Sequence, residues 1–248
     1  MSSMFDNYNA RLAINSEVRR ETVLDRERRR LNRWLPQSLS YKSVLIDSIQ
    51  QNVVITDHDN INLKTICAMP GENLKHGAIV DWENCKWLIT ELDAHSEIYE
   101  KGIMQQCNYL LKWRDTTGDI VEKWCIIEDG TKYIVGEHEE PKITVGDARI
   151  SLIIGKDSDT VKLHRGVRFL IDDIDSAYPL AYQITKPHRL YNIYNNVGVL
   201  KFILNEVNVT QNDNVDLMVA DYYEPTMNVD TDSFPDVIDY DDEKDVWL

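Results

Sequence analysis

Met69-Pro70-Gly71-Glu72-Asn73-Leu74-Lys75-His76-Gly77-Ala78-Ile79-Val80-Asp81-Trp82-Glu83-Asn84-Cys85-Lys86-Trp87-Leu88-Ile89-Thr90-Glu91-Leu92 is the stretch that decides the fold. Pro70-Gly71 and Gly77 punctuate its entry, and the polar pair Glu83-Asn84 separates two apolar, aromatic-rich runs, the pattern of a β-hairpin closed by a two-residue loop. That loop sets Trp82 opposite Cys85, Val80 opposite Trp87 and Ala78 opposite Ile89, all on one face. The other face then carries Asp81 opposite Lys86, an attractive cross-strand pair, and Ile79 opposite Leu88. A slip by one residue would scatter the tryptophans to both faces, so the pattern fixes the register. Two tryptophans on one face can bury a few hundred Å², enough to nucleate a small barrel or sandwich.

The runs on either side are also strand-like: Tyr41 to Asp47, Val53 to Thr56 and Lys64 to Met69 before the hairpin, Ile103 to Trp113 and Ile120 to Glu128 after it. From residue 103 the alternation places Ile103, Cys107, Tyr109, Leu111 and Trp113 on one face and Gln106, Asn108, Lys112 and Arg114 on the other. A turn at Thr116-Thr117-Gly118-Asp119 returns the chain and sets Leu111 opposite Trp124 and Tyr109 opposite Ile126. Trp113 and Trp124 thereby join Val80, Trp82, Cys85, Trp87 and Ile89 as the expected core of a first β domain, residues 39–136.

Gly136-Glu137-His138-Glu139-Glu140-Pro141, charged and ended by proline, marks a boundary. A second β set, 141–223, begins with Ile150, Leu152 and Ile154. It continues through Val161 to His164, Val167 to Ile171, Tyr182 to Thr185 and Arg189 to Tyr194. A turn at Asn195-Asn196-Val197-Gly198 leads to Val199–Val209, whose apolar first half reads as a central strand. Ahead of both domains, in an arm spanning 1–38, Ser16 can cap a helix that Pro36 stops near Leu35. Its apolar stripe is only Leu24, Leu31 and Leu35, too narrow to build a core alone, and i,i+4 pairs such as Asp25 with Arg29 lace its surface. The fold class is mainly β: two small antiparallel β-barrel or sandwich domains with an N-terminal Arg-rich helix and an acidic C-terminal tail, 224–248.

The net charge of −15 is unevenly spread. Residues 1–42 hold nine Lys/Arg against five Asp/Glu, net +4, and residues 213–248 one Lys against twelve Asp/Glu, net −11. Such a chain is no general nucleic-acid binder, since phosphate contacts dominate that affinity. Ends of opposite sign suit subunits that meet other subunits, with Arg19, Arg20, Arg26, Arg28, Arg29, Arg30 and Arg33 as the docking candidates on the helix. Neither a membrane-length apolar run nor a signal-peptide order is present, so the chain is expected in cytosol, with Asn208-Val209-Thr210 unglycosylated. Cys67, Cys85, Cys107 and Cys125 each sit inside an apolar run and read as buried free thiols.

A catalytic constellation is not legible. His58, His76, His95, His138, His164 and His188 lack metal spacing, and no P-loop, Gly-x-Ser-x-Gly or dinucleotide fingerprint occurs. Asp57-His58-Asp59-Asn60 reads as a polar turn. The Asp172-Asp173-Ile174-Asp175 and Asp230-Thr231-Asp232 clusters lack the Gly and Glu of a calcium loop. No enzymatic role, cofactor or metal is expected.

Leu35-Pro36-Gln37-Ser38-Leu39-Ser40-Tyr41, Met69-Pro70-Gly71 leading into Gly77-Ala78-Ile79-Val80-Asp81-Trp82 and Trp87-Leu88-Ile89-Thr90, Cys107–Trp113, Glu128–Tyr133 and Gly146-Asp147-Ala148-Arg149 together resemble the neck proteins of tailed bacteriophages from Gram-positive hosts. The resemblance, to the head-tail connector or head-closure family, covers most of residues 16–210. It implies a structural virion protein in a homo-oligomeric ring at the head-tail junction, assembled in host cytoplasm. Its partners would be the portal or adaptor protein and the tail or next neck ring, with viral DNA passing through unread and no membrane contact. A tail-terminator or baseplate subunit, an OB-like single-strand-binding module and a hydrolase are the competing readings.

Overall fold

The computed structural model describes residues 16–93, 95–115, 117–129, 149–171 and 178–223. The linker 136–141, the Asp172 cluster and the tail 224–248 lie outside them. Helix α1 (Ser16–Trp34) runs into a single 3-10 turn, Leu35–Gln37, that carries Pro36. Among the described residues twelve antiparallel strands follow: β1 (Tyr41–Ile46), β2 (Ile49–Asp57), β3 (Leu63–Ala68), β4 (Ile79–Trp82), β5 (Cys85–Asp93), β6 (Lys101–Gln106), β7 (Tyr109–Arg114), β8 (Ile120–Asp129), β9 (Arg149–Gly155), β10 (Arg168–Ile171), β11 (Leu180–Tyr194) and β12 (Val197–Val207).

The first six close into a barrel in the order β1-β2-β3-β6-β5-β4. Its hairpin β4–β5 has the register read from the sequence, with Trp82 opposite Cys85, Asp81 opposite Lys86, Val80 opposite Trp87 and Ile79 opposite Leu88. Glu83 and Asn84 both take positive φ, 51° and 63°, the type I′ turn whose twist matches the strands it joins. Asp47-Ser48 turns β1 into β2 in the same way. The barrel closes between β1 and β4 through Leu45 opposite Asp81 and Ile46 opposite Val80. The Asp47 carboxylate extends that seam, accepting from the Ile79 amide at 3.0 Å. Inside, Val80, Ile89, Ile66 and Met104 are fully buried, and Trp87 packs 5.7 Å from Trp82.

The remaining six form a second sheet in the order β10-β11-β12-β9-β8-β7. It curls until its edge strands approach: the Tyr109 hydroxyl donates to the Leu170 carbonyl at 3.4 Å, and the rings of Trp113 and Phe169 meet edge to face, centroids 6.2 Å apart. β12 lies inside the sheet as expected, with Leu200, Phe202 and Leu204 buried.

Four expectations are corrected here. The run from 103 to 113 is two strands in two sheets, so β7 and β8 pair with the second set and not with the first six strands. Cys107 donates its amide to Lys86 in the barrel, and Asn108 donates its amide to Cys125 in the second sheet. The Asn108 side chain then bonds both the N–H and the C=O of Ile127, each at 2.8 Å, standing in for a strand residue. Ile103 accordingly faces outward while Met104 fills the barrel. Second, Tyr109 pairs with Cys125 and Leu110 with Trp124, one residue off the expected register, because the connection is the five-residue loop Asp115–Asp119. Trp124 therefore points out of the core and is 36% exposed. Third, Val161 lies in a 3-10 turn, Thr160–Lys162, and not in a strand. Fourth, β11 is one strand where two were expected, its register shifting between Ile184 and Lys186 and again between His188 and Asn192.

Barrel and sheet are joined by apolar packing of Leu88, Cys107, Ile126, Ile153 and Val199, with Ile79 beside them. Beside that cluster three backbones nearly touch: a Cβ on Gly155 would stand 2.2 Å from the Gly77 carbonyl oxygen, and one on Gly77 would stand 2.0 Å from that of Gly198. Only glycine permits so close an approach. His76, buried and bonded to the Thr90 carbonyl at 2.8 Å, stacks on Tyr194 across the same junction.

Candidate partner-docking surface

The leucine stripe sets the phase of α1. Leu24 and Leu31, with Leu35 just past the helix end, are half-buried together with Glu27, and none is fully buried. At ~100° per residue, Arg20 and Arg28 flank that stripe, whereas Arg26, Arg29, Arg30 and Arg33 fall within an arc of roughly 100° on the opposite side.

The contacts follow this division. Arg20 pairs with the Glu97 carboxylate in the β5–β6 connection. Arg28 donates to the Glu97 carbonyl at 2.7 Å and reaches Asp25, its i−3 neighbour, at 3.5 Å, in place of the expected Asp25–Arg29 pair. Arg30 pairs with Glu27 at 3.1 Å and stays 72% exposed. Arg26, Arg29 and Arg33 are exposed and, among the described residues, have no ion pair. The side chain of Arg19 lies outside the described residues. Of the seven arginines singled out from the sequence, two therefore attach the helix to its own barrel and four crown its outer face. Exposed pairs of this kind contribute at most about 1 kcal/mol each, so the attachment is light. Trp34 and Leu39, 63% and 97% exposed, continue the unpartnered surface past the helix end.

Two features escaped the sequence. The first is an ion cluster that pins residues 208–221 across the second sheet. Arg168 of β10 binds Asp213 at 2.9 Å and Asp221 at 2.7 Å, and donates to the Asn208 carbonyl at 2.8 Å. Burial, the largest single influence, pushes the Asp213 carboxyl up. The amides of Thr210 and Asp221 and the Arg168 guanidinium together outweigh it and hold the group below the usual carboxylate range. The second is the loop after β9, where Asp157 accepts from the amides of Asp159 and Thr160 and pairs with Lys123 at 2.6 Å. Single charged residues inside or beside apolar runs give no sequence signal for either.

The four cysteines are free thiols, Cys107 and Cys125 buried and Cys67 and Cys85 half-buried. Burial pushes the Cys107 thiol up to about 12 and Cys125 higher still. At the end of β2, the Asn60 amide lies 3.4 Å from the His58 ring nitrogen and Asp57 pairs with Lys64, so that stretch is a turn. Among the described residues no three His, Cys, Asp or Glu side chains converge, and no helix is long and apolar enough to cross a membrane.

Residues 8–106 match the family model of the YomX N-terminal domain. That family is phage-derived, of the Bacillus phage SPbeta type, and the match takes in 99 of the 248 residues of the chain. The match covers α1 and ends on Gln106, the last residue of β6, where the chain leaves the closed barrel for the second sheet. Helix and barrel are thus the matched unit, with β7–β12 outside it. No curated protein and no solved structure matches the chain.

Proposed function

We propose that this chain is a structural subunit of a phage neck, a ring between portal and tail that surrounds the DNA conduit. The observation that carries the reading is the outer face of α1: Arg26, Arg29, Arg30 and Arg33 stand together on a helix lightly held to a barrel that matches a phage-derived family model. Guanidinium groups in a row suit carboxylates on a portal or neighbouring subunit, bound by charge-assisted and bidentate contacts. The overall charge of −15 suits walls past which DNA slides, because acidic surfaces repel phosphate. Structural work without catalysis is the role assigned here, and the barrel serves to hold the helix at a fixed place on the ring.

The test is Arg26→Glu, Arg29→Glu and Arg33→Glu combined, followed by electron microscopy of virions labelled with an antibody to the chain. The wild type should label the head-tail junction, and the variant should keep its thermal stability and be absent from particles. Incorporation of the variant at wild-type level would overturn the docking role. Label on the distal tail would instead place the chain as a tail-terminator or baseplate subunit.

A further inference from the structure

Under α1 the helix and the barrel leave a cleft of about 330 Å³, bounded by Arg28 and Asn32 of the helix and by Glu72, Asn73, Glu97 and Glu100 of the β3–β4 and β5–β6 connections. Its charges do not balance. Glu97 pairs with Arg20, Arg28 pairs with Asp25, and Glu100 accepts from the Leu74 amide. Around the cleft four carboxylates, Asp25, Glu72, Glu97 and Glu100, thus face two guanidinium groups, Arg20 and Arg28, and four minus two leaves −2. Glu72 is the least satisfied of them: among the described residues it has no ion pair, and its Oε2 is buried without a hydrogen-bond partner. A buried acceptor left unmet is destabilising, and a donor entering the cleft would relieve it.

We propose that this cleft receives the outer arginine row of a second copy of the chain, so that α1 docks on the helix–barrel cleft of the neighbouring subunit. The inference rests on the reading of that row as a docking surface and names what it docks on. Arg26, Arg29 and Arg33 are exposed and carry +3 with no ion pair among the described residues, against the −2 of the cleft. Guanidinium forks bind carboxylates by paired, charge-assisted hydrogen bonds. Row and cleft lie on opposite sides of α1, whose thickness of ~10 Å keeps a chain from filling its own cleft. The contact is therefore heterologous. Each copy that docks leaves one row and one cleft free for the next, and such a series closes into a ring where the rotation between copies allows it.

The experiment mixes two full-length variants, Arg29→Cys on the row and Asn73→Cys at the cleft, both at exposed positions. Arg26 and Arg33 remain to dock, and a disulfide forms only where the two Cα atoms come within about 7 Å. Under mild oxidation at high protein concentration and low salt, mass spectrometry should find position 29 of one variant joined to position 73 of the other. That product should fall at least ~5-fold at 1 M salt, where screening acts within about 3 Å. The unsubstituted chain, treated alongside, controls for its own four free cysteines. Absence of the 29–73 link would overturn the proposal, as would 29–29 or 73–73 links in its place. Virions separate this outcome from failure of the docking surface itself. If the combined Arg26→Glu, Arg29→Glu and Arg33→Glu variant is absent from particles and the 29–73 link never forms, the row docks on a different protein and the role of the cleft alone falls.

Discussion

Gly155→Ala should uncouple the barrel from the second sheet. Gly155 has no positive φ, so alanine meets no backbone strain there, and its cost is purely steric. The added Cβ would stand 2.2 Å from the Gly77 oxygen and 3.3 Å from its carbonyl carbon, with Leu88 Cδ1 at 3.5 Å. Normal contact requires the two backbones to separate by roughly 1 Å, and a gap of that size forfeits a quarter to a half of each dispersion contact across the junction. Gly77 cannot yield, because its own backbone is pressed against Gly198. The separation therefore loosens Leu88, Ile153 and Val199 together. Overpacking of this sort costs about 1–3 kcal/mol, and the value should sit near ~3 kcal/mol here, lowering Tm by roughly 6–12 °C. Gly71→Ala is the control: Gly71 has φ +97° with nothing within 4 Å of an added Cβ, so it costs only the left-handed penalty of about 1–2 kcal/mol. Calorimetry of both variants, with hydrogen exchange of β4, β9 and β12, measures the difference. A smaller loss for Gly155→Ala than for Gly71→Ala, with exchange at the junction unchanged, would refute the close-approach argument.

Arg168→Met strands the Asp213 carboxylate, whose side chain is fully buried, and should cost about 3–5 kcal/mol in urea titrations at pH 7. Because Asp213 titrates below its unfolded value of about 3.9, its contribution is present above that pH and is lost as pH falls through the folded value. The wild type should thus lose stability in acid more steeply than Arg168→Met, and parallel curves would refute the assignment. Trp87→Ala, at a 5% exposed barrel position, should cost about 3–5 kcal/mol and Trp124→Ala, at a 36% exposed outer position, about 1 kcal/mol, with equal losses ruling out the observed register of β8. Cys107 and Cys125 should resist a thiol reagent at pH 8 until the chain unfolds, since burial keeps both protonated; rapid labelling of the native chain would contradict that burial.

The hairpin was legible because a two-residue loop leaves the register no freedom: once Glu83-Asn84 is the turn, every pair up to Ala78 and Ile89 follows. The β7–β8 hairpin slipped by one because a five-residue connection and a four-residue one look alike in sequence, and polar Asp115 serves either. The change of sheet was hidden for a different reason. Cys107 and Asn108 continue an apolar-polar alternation that suits one long strand, and the Asn108 amide imitates a strand backbone so well that no glycine or proline marks the break. The phase does shift, since fully buried Met104 points into the barrel whereas buried Cys107, just past the end of β6, packs at the junction with the second sheet. Both parities carry apolar residues, so the shift cannot be seen without knowing which face is wet. Among the arginines, the division into attached and outward-facing was available from the Leu24, Leu31 and Leu35 stripe alone. Their partner Glu97, by contrast, lies about seventy residues downstream, and nothing local signals it.

The uneven anchoring of the chain has a physical logic. The barrel is closed on itself, and its two type I′ turns and short β1–β4 seam leave it no free edge, so it unfolds as a unit or not at all. α1 shares none of that cooperativity: its leucines are half-buried, and its arginine contacts to Glu97 are exposed and screened by salt. The helix can therefore leave the barrel at a cost far below that of global unfolding, as local opening does elsewhere in proteins. An arm of that kind can exchange its few internal contacts for a larger acidic partner surface with little penalty, whereas a helix buried in the core would have to unfold the domain to do so.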